Sequence, residues 1–129
     1  MGVNVAPIIP GLNDEEIPEI LSQSAKRGAA SATYILLRLP YSIKDMFINW
    51  LEREFPDRKD KILNKIREMR GGKLNVSDFG KRFKGQGKQA NAIRDLFYIG
   101  CRKYHLNERD FELNTTHFKR PSGKQIELF

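Results

Sequence analysis

The stretch that decides the fold runs from Val3 to Pro40. It opens with Val3-Asn4-Val5-Ala6-Pro7-Ile8-Ile9, an apolar run closed by Pro10-Gly11. It ends with Ala32-Thr33-Tyr34-Ile35-Leu36-Leu37-Arg38-Leu39, stopped by Pro40. Short apolar runs of this kind, bounded by Pro and Gly, read as strands. Between them Ile17, Ile20, Leu21 and Ala25 repeat at helical spacing. Asn13 or Asp14 can cap that helix, Pro18 fits its first turn and Gly28 stops it. Strand, helix and strand in that order make the two strands parallel. Parallel strands normally lie in wider sheets covered on both faces, and two alone leave open edges and faces. Residues 1–40 therefore read as the end of something larger. The alternative is that later helices wrap the two strands into a small α/β domain.

Beyond Pro40 the pattern is mainly helical. Ser42 with Asp45 resembles a capping box, and Met46, Phe47, Trp50 and Leu51 follow at helical spacing. Asp57 is placed to cap the next helix, whose buried side reads Ile62, Leu63, Ile66 and Met69 before Gly71-Gly72. Residues 73–88 form a loop rich in Gly, Lys and Arg. A last helix runs from about Gln89 to Tyr104, with Ile93, Leu96, Phe97, Gly100, Cys101 and Tyr104 on one face. After Asn107 the chain turns extended and polar.

The 129 residues are 40% hydrophobic and 10% aromatic, enough for a packed core. No apolar run approaches the ~20 residues of a membrane span. Met1-Gly2-Val3-Asn4 has no basic-then-apolar leader. The expectation is a soluble, cytoplasmic protein without membrane contact. The lone cysteine, Cys101, can neither close an internal disulfide nor ligate an iron–sulfur cluster, which takes several thiolates. Its position on a helical face reads as a core thiol. His105 and His117 lack ligand spacing, so no metal site is expected. The net charge of +7 is uneven, with −1 on residues 1–40 and the remaining +8 on residues 41–129. That basic half reads either as a polyanion surface or as a solvated face.

Several pieces of the chain, taken in order, resemble one known family. They are Ala6-Pro7-Ile8-Ile9-Pro10-Gly11-Leu12-Asn13-Asp14, Glu16-Ile17-Pro18, Leu36 to Pro40, Lys44 to Phe47, Trp50-Leu51, Phe55 to Arg58, Ile66 to Gly72, Phe79-Gly80 and the final Gln125 to Phe129. Together they resemble the carboxy-terminal part of radical S-adenosylmethionine proteins, in the spore-photoproduct-lyase-like or "DNA repair photolyase" branch. The resemblance implies an incomplete (β/α) barrel. It also implies a 4Fe-4S cluster on three closely spaced cysteines, which cleaves S-adenosylmethionine to a 5′-deoxyadenosyl radical. This chain has no Cys-x3-Cys-x2-Cys element. The resemblance thus gives an α/β fold: the remnant of a partial (β/α) barrel, one βαβ unit over residues 1–40. A mainly helical extension follows over 41–124, then a peptide tail over 125–129. The cofactors belong to the whole family member, and this chain alone is expected to hold neither. Its implied partner is an amino-terminal barrel half. The alternatives are a nucleic-acid-binding or DNA-repair-associated module and a non-catalytic remnant.

Barrel chemistry gathers at the carboxyl ends of strands. By the resemblance, Pro10, Gly11 and Asn13 form a wall for the adenosine of S-adenosylmethionine; the alternative is a turn with a helix cap. Tyr34, Leu36 and Arg38 share one strand face, and Ile35, Leu37 and Leu39 the other. The aliphatic face should meet the helices, which turns Arg38 toward the lumen. There it binds a carboxylate or phosphate, or else pairs with an acidic residue of the chain. In the basic loop, Lys81, Arg82, Lys84 and Lys88 suit phosphates and Phe83 suits a base, unless the loop is merely solvated. Gln125, Ile126, Leu128 and Phe129 resemble the peptide by which repair proteins bind the sliding clamp. The alternative is that they dock on the protein's own core.

Overall fold

The computed structural model describes residues 1–75, 83–110 and 112–120. Strand β1 (Gly2–Ile8) leads through a loop and a 3₁₀ turn (Asp14–Glu16) into helix α1 (Ile17–Lys26), then strand β2 (Ser31–Leu36). Helices α2 (Ile43–Glu54), α3 (Lys59–Met69) and α4 (Gly87–Lys103) follow. Among the described residues the sheet has two strands, paired in parallel as expected. Val3 aligns with Ala32 and Val5 with Tyr34, and the register slips between Val5 and Ile8, across the cis Ala6–Pro7 bond. Strand β2 stops at Leu36, three residues short of the expectation.

The sheet has helices on one face. Val5, Ile8, Ala32, Tyr34 and Leu36 pack with Ile17 and Leu21 of α1 and with Ile93, Phe97 and Cys101 of α4. Burying a Leu, Ile or Phe of this kind stabilises by about 1.5–3 kcal/mol each. The ring of Tyr34 lies 4.7 Å from that of Phe97. Helices α1 and α4 come together at Gly100, where a Cβ would stand 2.6 Å from Leu21 Cδ1. Helix α4 thus completes the core of the strand–helix–strand unit. The opposite face, with Asn4, Ala6 and Thr33, is exposed, and Thr33 Oγ1 bonds Asn4 Oδ1 across it at 3.2 Å.

That layering corrects the expected faces of β2, and removes the ground for turning Arg38 toward the lumen. The Tyr34–Leu36 face meets the helices, and the Thr33–Ile35 face is open. Alternation alone cannot choose between two faces that both carry apolar residues. The choice falls to the large ring of Tyr34, which fills the gap beside Phe97.

A second core lies beyond the strand ends. Leu39, Leu51, Ile62, Leu63 and Ile66 are its buried residues, with Leu37, Phe47, Trp50 and Phe55 against them. Helix α3 bridges the two cores, because Met69 belongs to the first and Ile66 to the second. Its four expected core residues, Ile62, Leu63, Ile66 and Met69, are all buried. Met46 of α2 is instead 68% exposed. The expected caps are absent: Asn13, Ser42 and the residue before α3, Arg58 rather than Asp57, make no side-chain cap bond. Packing of the apolar faces holds these helices without caps.

Candidate functional site

The carboxyl ends of both strands meet at one end of the sheet, and the loops there carry the candidate residues. In the first loop, Pro10 is fully buried and Gly11 has a φ of 81°. A Cβ at Gly11 would meet Lys65 and Ile62 of α3 at 3.4 and 3.6 Å. Asn13 clamps the loop from within. Its Oδ1 accepts the Ile9 N–H at 2.7 Å, and its Nδ2 donates to the Pro7 carbonyl at 3.0 Å. Asp14 Oδ1 accepts the Gly11 N–H at 3.1 Å. The Asn13 amide is therefore engaged in holding the loop: the turn of the alternative reading is present, and its side-chain helix cap is not.

Arg38 lies past the end of β2 and is half-buried. Its guanidinium sits 5.2 Å from the centroid of the Phe83 ring, within cation–π range. Its Nε is buried and accepted by no described residue. It makes no ion pair with a described carboxylate. A second arginine is its neighbour: Arg70, 3% exposed, donates to the Leu37 carbonyl at 3.0 Å. Burial, and then the charge of Arg38, push the Arg70 pKa down. Two guanidinium groups at the strand ends suit an anion far better than a cation. Sequence reasoning passed over Arg70, whose place before Gly71-Gly72 marked it only as a helix end.

The basic loop divides. Lys81 and Arg82 lie outside the described residues. Phe83 is half-buried, and its carbonyl accepts the Leu36 N–H at 2.8 Å. Lys84 curls back: its Nζ donates to the Tyr34 carbonyl at 2.8 Å and lies 3.5 Å from the centre of that ring. Loss of hydration there lowers the Lys84 pKa, although the residue as a whole is exposed. Lys88 is exposed in the first turn of α4. The tail residues Gln125, Ile126, Leu128 and Phe129 also lie outside the described residues.

Lys84 and Phe83 act on the sheet as well. In a parallel ladder alternate residues turn both backbone groups to the same side. On β2 the outward residues are Ala32, Tyr34 and Leu36. The Asn107 side chain accepts from the Ala32 N–H at 2.8 Å and donates to the Ala32 carbonyl at 2.9 Å. The Asn107 N–H donates to the Ala30 carbonyl at 2.9 Å. With Lys84 on the Tyr34 carbonyl and Phe83 on the Leu36 N–H, the outer edge of β2 is bonded at each of its three outward residues. On β1 the register turns Gly2 and Asn4 outward, and no described residue bonds their backbone groups there. Asn107 has a φ of 62°, which Asn tolerates. Nothing in the sequence around it marked that role.

No group of three or more His, Cys, Asp or Glu side chains placed for a metal occurs among the described residues. Cys101 is buried, and burial pushes its thiol pKa up, which disfavours the thiolate. No described helix is long and apolar enough to cross a membrane. Comparison of the chain with family models, with curated proteins and with solved structures finds no match.

Proposed function

We propose that this chain is the carboxy-terminal part of a radical S-adenosylmethionine protein of the spore-photoproduct-lyase-like branch. In this reading it supplies the last two strands of a partial barrel and works only with a cysteine-bearing amino-terminal half. One observation carries the proposal: side chains and a loop backbone bond the outer edge of β2, whereas no described residue bonds the outward backbone groups of β1. A terminal barrel strand needs a covered edge and its inner neighbour needs a free one. The exposed face with Asn4, Ala6 and Thr33 is then the lumen side, and α1 and α4 are the outer layer. The resemblance supplies the family; the open edge supplies the reason for a partner.

The residues present do not fit a 4Fe-4S cluster, since the one cysteine is buried in α4 with its thiol held neutral. This chain's contribution is binding and closure. Arg38, with Arg70 behind it, offers an anion contact at the strand ends for a carboxylate or phosphate. The clamped Pro10–Asn13 loop fixes the floor beside it.

The test is co-expression with a barrel half that carries the three-cysteine motif. Expected are co-purification, a larger iron content than either half alone, and cleavage of S-adenosylmethionine. Asn4→Pro is the control. It removes an outward N–H of β1 and leaves the ladder to β2 intact, so the chain should fold normally and fail to associate. Association that survives N4P would sink the edge-pairing reading.

A second reading, a nucleic-acid-associated module, is favoured by the cations Arg38, Lys44 and Lys73. All three lie at this end of the sheet and make no ion pair with a described residue. The clamp-binding role of Gln125 to Phe129 belongs to it. Deleting residues 125–129 should abolish pull-down of the sliding clamp.

A further inference from the structure

Tyr41 is held in an unusual way. Its φ is 49°, in the left-handed region that bulky side chains rarely occupy, and it is 96% exposed. It adds nothing to either core. Its ring stands at the rim of a cavity of about 440 Å³ that is also lined by Leu39, Lys44, Lys73, Leu74 and Asn75. Lys44 and Lys73 come from different segments, the start of α2 and the stretch after α3. Ile43 and Met46, in the first turn of α2, are 49% and 68% exposed. Strain that displays a side chain, rather than burying it, points to a use for that side chain. A flat aromatic face beside two cations matches one ligand chemistry: a base attached to a phosphate.

We propose that Tyr41, Lys44 and Lys73 form a binding site for a nucleotide unit of single-stranded nucleic acid. The base stacks on Tyr41 and the phosphate lies between the two lysines. The positive charge of residues 41–129 draws the strand in, and the aromatic face holds it without regard to sequence. The site draws on none of Lys81, Arg82, Phe83, Lys84 and Lys88, and does not depend on the barrel reading.

The test measures binding of the whole chain to labelled oligothymidylate, to an abasic strand of equal length, and to free thymidine monophosphate. The abasic strand should bind about tenfold more weakly, the effect of losing one stacked base. Tyr41→Gly should bind oligothymidylate as weakly as the abasic strand, while its melting temperature stays level or rises because Gly accepts the left-handed backbone. Tyr41→Phe should restore binding. Lys44→Gln with Lys73→Gln should flatten the slope of log affinity against log salt by about 0.7 for each phosphate charge no longer neutralised. Binding of the monophosphate as tight as that of the strand assigns the site to a free nucleotide, and binding of the strand alone assigns it to the polymer. Absence of both overturns the proposal. So does wild-type affinity in Y41G, the result expected if this apolar patch docks a protein instead.

Discussion

Asn107 shows how much one side chain can do at a sheet edge. Its amide stands in for a neighbouring strand, accepting from and donating to Ala32 across 75 positions of sequence. Asn107→Gly keeps the left-handed backbone and loses both bonds to Ala32 and the weaker one to the Cys101 sulfur, and should cost about 2 kcal/mol. Asn107→Ala should be worse by about 1 kcal/mol, since Ala resists that conformation. Urea melts of the two variants would check the order; equal losses would mean that the backbone geometry is not what Asn supplies. Cys101 gives a pH prediction. Burial raises its pKa in the fold above the ordinary 9.0. The unfolded chain therefore loses the proton first as pH rises. The stabilisation is whole below pH 9 and is lost as pH climbs through the folded value. Cys101→Ala should show a shallower fall of stability above about pH 9, whatever its stability at neutral pH. The core thiol is legible in the sequence, because Cys101 sits in phase with Ile93 and Phe97. Asn107, Arg70 and Tyr41 are not, because their roles depend on partners far along the chain or on backbone angles that no residue pattern encodes.

At the scale of elements, periodicity is a good guide to what is helix or strand and a poor one to which face is inward. The run Ile62, Leu63, Ile66, Met69 is apolar on one side only, so its burial follows from spacing. Strand β2 is apolar on both sides, so tertiary packing with α4 decides the face. Caps are also ambiguous in sequence, because Ser, Asp and Asn can bond nearby loops as readily as helix ends, as Asn13 does. Helix α3 carries an element-scale prediction. It shares residues with both cores, so the two should unfold together. Trp50, the only tryptophan, packs in the second core and reports it by fluorescence, while far-UV circular dichroism reports the whole. The two signals should share one denaturant midpoint. Ile66→Ala should lower that midpoint for both, by about 2–5 kcal/mol of stability. Separate midpoints would mean that α3 does not couple them.

For the whole molecule, two parallel strands make a poor sheet on their own, and the chain makes good half of that deficit. One face and one edge are covered, by α1 and α4 and by the bonds from Phe83, Lys84 and Asn107. The other face is exposed, and no described residue bonds the other edge. The seal on β2 has a further meaning during synthesis. Its parts emerge from the ribosome long after the strand does: Lys84 follows Tyr34 by 50 residues and Asn107 follows Ala32 by 75. At about 5–20 residues per second, the nascent chain spends several seconds with both edges unpaired. Such edges are templates for intermolecular pairing. Chains halted before residue 104, with both edges unpaired, should therefore collect in the insoluble fraction to a greater extent than chains halted after residue 110. Translation speed between the second strand and Asn107, rather than final stability, then sets how much folded protein a cell obtains.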